Sequence, residues 1–241
     1  MSRPSGYLLC ATPRTGSTLL CSLLASTEAL GRPESYFREP VDDWARRLDV
    51  PITDGRVHSY GDFVQAVRTA ATSTNGVFGA RVMWASLEGI ADGLRDRPGR
   101  ADREVLEAAL GPLEYVFLRR ENVVDQAVSW ARAEQTGHWQ HGDPRVRSPQ
   151  LDVAQLVHLV DTIREHNAAW QAWFDHHQVR PHLVTHEELV ADRRATVEAI
   201  AARLQVVLPA NWQPVSPHRK QADGLNHAWA EALRSALDGN G

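Results

Sequence analysis

Seven residues, Thr12 to Thr18 (TPRTGST), bring together one guanidinium, four hydroxyl side chains and a glycine. That set suits an anion: Arg14 supplies charge-assisted donors, and Gly16 lets a ligand approach the backbone closely. The flanking residues agree. Tyr7 to Ala11 is an apolar run of strand length, and Pro13, which cannot donate to a sheet ladder, ends it. From Ser17 onward Leu19, Leu20, Leu23 and Leu24 recur at helical spacing, with Ser17 or Thr18 placed to cap the first turn. A strand, a tight loop and a helix start point N–H groups and the positive end of the helix dipole at one spot, so phosphate or sulfate belongs there. The loop is not a Walker A loop: Gly16-Ser17-Thr18 lacks the lysine, and Ala11 stands where the first glycine belongs, which disfavours an ordinary ATPase. The plain alternative is a strand-to-helix turn with a good cap.

A second anion site is written into Leu113 to Ser129. Leu113 to Leu118 is a continuous apolar run, as a parallel strand covered on both faces should be. Arg119 and Arg120 follow it directly. A helix then carries Val124, Ala127, Val128 and Ala131, with Ser129 on its second turn.

Three other stretches carry side chains fit for chemistry. Glu34, Ser35, Tyr36, Phe37, Arg38 and Glu39 are crowded between Pro33 and Pro40, and this segment leaves the first helix near enough to line an acceptor pocket. Val77 to Val82 is a strand candidate followed by Met83 and Trp84. Ligands of open α/β sheets collect beyond the carboxyl ends of strands, so Arg81, Met83 and Trp84 can face an acceptor; a core tryptophan and a surface arginine are the alternative. Residues 137–149 read as a long loop in which His138, Trp139 and His141 suit sugar recognition, an aromatic face for the ring and imidazoles for hydroxyls. The histidines and Asp143 lack zinc spacing, and no metal is expected.

The 241 residues, 43% of them hydrophobic, can bury one substantial core, and a single domain over 1–241 is expected. With 26 basic against 30 acidic side chains there is no basic surplus for general nucleic-acid binding. Cys10 and Cys21 read as buried reduced thiols, which fits a cytoplasmic protein. No apolar run has the length of a membrane span, and MSRPSG lacks a signal-peptide core. Between the motifs, residues 44–74 read as two polar-faced helices around a Pro-Gly loop at 51–55. Leu151 to His177 is a long helix, His182 to Thr185 a short strand, and HEELVAD opens a helix at Glu187, followed by another over Arg193 to Leu204.

PRTGSTLL after a strand resembles the 5′-phosphosulfate loop of sulfotransferases that use 3′-phosphoadenosine 5′-phosphosulfate (PAPS), with Arg14 where many members have lysine. GRPESYF, VFGARVMW, FLRRENVVDQAVSWARAEQTGHW, HEELVAD and RKQADGLNHAW resemble one bacterial branch, the carbohydrate sulfotransferase family typified by trehalose 2-sulfotransferase. The resemblance implies an α/β fold of P-loop NTPase-like sulfotransferase type, with a central parallel sheet of about four or five strands flanked by helices. It implies PAPS as sulfuryl donor, held by Arg14, Thr15, Gly16, Ser17 and Thr18 at one end and by Arg120 and Ser129 at the 3′-phosphate, with Arg119 behind Arg120. Ser129 lies nine positions after Arg120, one more than the family's usual spacing. Arg219 and Lys220 resemble the basic loop that closes the nucleotide site. A carboxylate base is implied near Pro33: Glu34 is first in line and Glu39 in reserve, Ser35 standing where the family has its glutamate. Ser35, Tyr36, Arg81, Trp84, His138 and Trp139 are then the acceptor-binding candidates, for a sugar or sugar-containing metabolite. A homodimer is also implied, and eight tryptophans offer apolar faces for one. Two rivals stand beside this reading. A small-molecule kinase would want a loop lysine and a carboxylate for magnesium; a non-catalytic nucleotide-binding module would fit the displaced carboxylate.

Overall fold

The computed structural model describes residues 5–54, 56–95, 97–139, 148–214 and 224–238. The apolar run at the N-terminus is β1 (Gly6–Ala11), buried at every position. After it come α1 (Ser17–Ser26), α2 (Asp42–Arg47), the short strands β2 (Ile52–Thr53) and β3 (Arg56–Val57), and α3 (Tyr60–Ala71). Next are β4 (Phe78–Met83), α4 (Trp84–Leu94), α5 (Asp102–Leu110), β5 (Leu113–Arg119) and α6 (Val123–Thr136). The chain goes on through α7 (Val153–His176), β6 (His182–Thr185), α8 (His186–Ala191), α9 (Arg193–Arg203) and α10 (Gly224–Asp238).

Four strands form one parallel sheet in the order β4-β1-β5-β6. The register sets Ala11 beside Met83 and Leu118, and Arg119 beside Thr185. All four carboxyl ends therefore finish along one edge. The segments that leave that edge are the four with the most polar chemistry: 12–18, the start of α4, Arg120 to Asn122, and His186-Glu187.

Alternation along β1 explains why the sheet is covered on both faces. Leu8 and Cys10 join a cluster with Phe63, Ile90, Trp170 and Phe174, from α3, α4 and α7. Tyr7, Leu9 and Ala11 join another with Leu20, Leu23, Val197 and Ile200, from α1 and α9. A third cluster packs α6, α7 and α10 through Trp130, Ile163, Trp229 and Leu233. Each Leu, Ile, Val or Phe among them, fully buried, contributes about 1.5 to 3 kcal/mol. The loops at the carboxyl edge thus spring from a rigid base. Gly79 is required where β4 passes Tyr7: a Cβ there would stand 2.7 Å from the tyrosine hydroxyl, which donates to the Leu30 carbonyl.

Both cysteines are buried and free, and burial pushes the Cys21 thiol up to about 12. Among the described residues no helix is long and apolar enough to cross a membrane.

Three local expectations are corrected. The cap of α1 is neither Ser17 nor Thr18 but Gly16, at φ 87 and ψ 13, and no side chain caps the turn. Glycine enters the left-handed region without the Cβ clash, so the helix starts one residue earlier. The stretch at 51–55 is not a bare loop, since Ile52–Thr53 pairs antiparallel with Arg56–Val57. The tryptophans do not leave large faces uncovered: Trp130, Trp170, Trp173, Trp212 and Trp229 are buried, and Trp139 alone of the eight is exposed, at 41%.

Candidate active site

The backbone of the first loop is held by its carbonyls. Trp170 Nε1 donates to Ala11 O over 3.2 Å, and Thr15 Oγ1 donates to Thr12 O over 3.0 Å. Gln126 Nε2 donates to Pro13 O over 2.7 Å and to Thr12 Oγ1 over 2.9 Å. His186 Nδ1 lies 3.1 Å from Thr15 O; a carbonyl only accepts, so Nδ1 carries the hydrogen. In a trans peptide C=O and N–H point opposite ways, so the N–H groups of Arg14 and Gly16 face away from Gln126 and His186. They and the uncapped first turn of α1 form a set of donors with the helix dipole behind it. Arg14 sits at φ 67, a conformation costly for a residue with a Cβ and kept here by the surrounding bonds. Gly16 is also needed for space, because a Cβ would stand 2.7 Å from His186 Nδ1.

Arg81 closes one side of this cradle. It leaves β4 toward α1, where its NH1 donates to Thr18 Oγ1 over 2.8 Å and to Ser17 Oγ over 3.2 Å. Its Nε donates to Ser35 Oγ over 2.7 Å, and its own N–H donates to the Glu34 carbonyl over 3.0 Å. One guanidinium thus fastens the Glu34-Ser35 segment to the loop hydroxyls. Arg81 is half-buried and bonded, so the surface arginine of the plain reading is corrected.

Arg14 closes the other side. Its Nε donates to Ser129 Oγ over 2.9 Å, and it also donates to the Trp139 carbonyl. Ser129 is therefore joined to the first loop, whereas Arg120 meets α6 one turn earlier, with NH2 3.5 Å from Asp125 Oδ2. Asp125 and Ser129 are four apart and share a helix face. Arg234 adds a second cation, 3.8 Å from Asp125 Oδ1. Arg120 Nε is buried and has no hydrogen-bond partner among the described residues. Burial lowers the Arg120 pKa, against the pull of Asp125 and Glu187. A half-buried cation whose buried Nε has an unused hydrogen is what a bound anion would satisfy. Arg119 is exposed.

Glu34 is exposed, and its charge falls on Cys21 and Tyr36. Tyr36 itself is 3% exposed; its hydroxyl donates to Arg32 O over 2.8 Å and its ring packs on Trp44 with centroids 4.6 Å apart. It serves packing. Glu39 is exposed and lies elsewhere, beside Gly89 of α4 and close enough to Tyr60 to raise that phenol's pKa after burial has done so. Trp84 points to α7, edge-on to Trp170 at 5.2 Å. There it lines a cavity of about 440 Å³ with Asp102, Trp173, His176 and His177. Trp139 is exposed, His138 half-buried with its N–H on Thr136 Oγ1 at 3.2 Å. Arg219, Lys220, His141 and most of the loop at 137–149 lie outside the described residues. Among the described residues no group of three metal-ligating side chains occurs.

Gln126, Trp170, His186 and Glu187 were not anticipated at this site. Gln126 stands in the same DQAVS stretch that marked Ser129, and a fully buried glutamine there is a signal of a bonding duty. HEELVAD showed a helix start but not what its first residues touch.

Comparisons with known proteins bear on the family and the fold. A family model described as Stf0 sulphotransferase matches residues 6–236. Trehalose 2-sulfotransferase of Mycobacterium tuberculosis (strain ATCC 35801 / TMC 107 / Erdman) is 28% identical, over 95% of this chain and 94% of that protein. Trehalose 2-sulfotransferase of Mycolicibacterium smegmatis (strain ATCC 700084 / mc(2)155) is 26% identical, over 96% and 95%. Among solved structures, a sulfotransferase domain from the curacin biosynthetic pathway superposes with a TM-score of 0.54 at 16% identity, covering 95% of this chain and 83% of that one. A sulfotransferase from Alicyclobacillus acidocaldarius gives 0.50 at 13% identity, covering 99% and 97%. At such identities these two speak for the fold, which is that of sulfotransferases. With the match running from β1 into α10, the chain belongs to the Stf0 sulphotransferase family of sulfuryl-transferring enzymes.

Proposed function

We propose that the protein moves the sulfuryl group of PAPS to a hydroxyl of a carbohydrate or sugar-containing metabolite, releasing adenosine 3′,5′-bisphosphate. The observation that carries this is the pairing of two anion-receiving spots through one contact, Arg14 to Ser129, with the unused donor of Arg120 beside the second. A ligand with anions at both ends suits that layout; PAPS has a 3′-phosphate and a 5′-phosphosulfate. The sugar acceptor is inferred from two relatives named trehalose 2-sulfotransferases.

In the reaction the acceptor oxygen forms a bond to sulfur while the bond from sulfur to the 5′-phosphate oxygen breaks, and the acceptor proton leaves to a base. Charge grows on the phosphate, where Arg14 and the N–H groups of the loop and of Thr15 to Thr18 are already oriented; donors fixed in advance need no reorganisation as that charge develops. Glu34 is the base in this reading, favoured over Glu39 because Arg81 ties its backbone to the loop. Ser35 orients Arg81, and His138 and Trp139 approach the acceptor from the far side through the carbonyl that Arg14 holds. Arg219 and Lys220, outside the described residues, are assigned to the nucleotide on the family resemblance. The two buried thiols suit a reducing compartment such as the cytoplasm, and assembly as a homodimer rests on the family resemblance.

A thermal-shift assay separates the kinase rival, and turnover of labelled PAPS the non-catalytic one. Adenosine 3′,5′-bisphosphate should raise the melting temperature in proportion to the logarithm of its concentration once above Kd, and ATP with magnesium should not. The reverse order would favour the kinase.

A further inference from the structure

We propose that the dipeptide His186-Glu187, at the start of α8, is a positioning clamp that fixes the first loop and the β5–α6 turn in one frame, setting the distance between the two ends of a bis-anionic nucleotide. Its two side chains go to two different loops. His186 donates to Thr15 O and fills the space that Gly16 leaves open. Glu187 Oε2 accepts the N–H of Glu121 over 3.1 Å, and Oε1 accepts the N–H of Asn122 over 3.3 Å. Those are the peptides that follow Arg120, so the carboxylate holds the turn that aims this guanidinium.

The dipeptide is itself rigidly mounted. Thr185, the last residue of β6, pairs in register with Arg119, so the first turn of α8 must emerge beside Arg120. A reciprocal capping box fixes that turn. Thr185 Oγ1 accepts the Glu188 N–H over 3.1 Å, while Glu188 Oε2 accepts the Thr185 N–H over 2.8 Å. Burial works against the charge of Glu187, but the N–H groups of Glu121, its own residue and Asn122, with His186, hold its pKa below the usual carboxylate range. The carboxylate is accordingly ionised at neutral pH and also offsets the charge of Arg120. Helix α6 reaches the first loop through Gln126 and Ser129, but those contacts lie beyond the turn. The turn's own carbonyls take local bonds, Val123 N–H to Glu121 O and Gln126 N–H to Asn122 O, but among the described residues Glu187 is the one side chain that accepts the turn's N–H groups, those of Glu121 and Asn122.

The clamp rests on the PAPS reading, and the test keeps the two apart. Calorimetry is run with adenosine 3′,5′-bisphosphate, which engages both ends, and with adenosine 5′-phosphosulfate, which lacks the 3′-phosphate. Wild type, His186→Ala, Glu187→Gln and the double variant are compared. Gln at 187 turns an N–H₂ against one of the two backbone donors, so Glu187→Gln should weaken the bisphosphate about 10-fold or more and the phosphosulfate less than about 2-fold. If both side chains serve one frame, the double variant should lose little beyond the worse single variant. If they are independent props, the losses multiply. Asp192→Asn, which weakens the cap of α9, should lower the melting temperature and leave the ratio of the two affinities alone. Should Glu187→Gln fail to fold, Glu187→Asp, charged but too short to reach both N–H groups, takes its place in the cycle. Multiplying losses, equal losses for both nucleotides at position 187, or unchanged binding would each overturn the clamp. A wild type that does not bind the bisphosphate would instead overturn the PAPS reading, and the clamp with it.

Discussion

Arg14 Nε donates to Ser129 Oγ over 2.9 Å, across 115 positions of sequence. The hydroxyl spends a lone pair on Arg14 and keeps its own proton for a ligand oxygen. In the proposed reading Ser129 therefore acts twice, orienting Arg14 and donating to the nucleotide. Ser129→Ala should weaken adenosine 3′,5′-bisphosphate about 10-fold, the worth of one charge-assisted bond of about 1.5 kcal/mol, and Ser129→Thr should keep most of the affinity. Calorimetry reads both. Unchanged affinity in Ser129→Ala would make the residue scaffold.

Arg81 reaches Ser17, Thr18 and Ser35 with one planar guanidinium. A lysine ammonium is a point donor on a flexible stem and cannot bridge the same three hydroxyls at once. Arg81→Lys should cut turnover about 10-fold to 100-fold by loosening the Glu34-Ser35 segment, with an unchanged circular dichroism spectrum. Full activity in this variant would show that the three bonds do not serve the reaction.

The sheet and the first loop were legible in the sequence because β1 and the middle of β5 are apolar runs followed directly by polar clusters. The contacts that complete the site were not. Gln126 and His186 reach the first loop across 113 and 171 positions, and no periodicity in a single chain reports such a distance. The cap of α1 was misjudged for a local reason: Ser17 and Thr18 are good capping residues, but Arg81 takes their hydroxyls while Gly16 makes the turn. Tyr36 read as an acceptor contact because it sits between Glu34 and Glu39, yet the chain turns it inward onto Trp44.

Three histidines give the fold a pH dependence with a definite sign. Burial lowers the pKa of His166, His177 and His182, helped at His177 by His176 and at His182 by Arg203. A folded pKa below the unfolded value favours the neutral ring. Its contribution is present above about pH 6.5 and lost as pH falls through the folded value. The melting temperature should thus drop between about pH 7.5 and 5.5, above the range in which Glu187 and Glu188, whose pKa values are lowered, take up protons. His166→Phe should make the drop shallower. A flat profile by calorimetric scanning would contradict the burial assigned to these rings.

The base is tested by removing basicity while keeping shape. Glu34→Gln should lower turnover about 100-fold or more, the usual worth of a positioned general base, and leave nucleotide affinity as it was. Glu39→Gln, beside Gly89 and Tyr60, should change turnover less than about 3-fold. If neither variant is impaired, the proton leaves by another group, and His138 is the next to replace.

The most direct measurement follows the sulfuryl group itself. Purified protein is incubated with sulfur-labelled PAPS and trehalose or a panel of related sugars, and both products are counted. Label should pass to a sugar hydroxyl with adenosine 3′,5′-bisphosphate released in equal amount, and the transfer should fall in Arg14→Ala and Arg120→Ala. No label on any sugar hydroxyl, or bisphosphate released without a sulfated product, would contradict sulfuryl transfer to a carbohydrate.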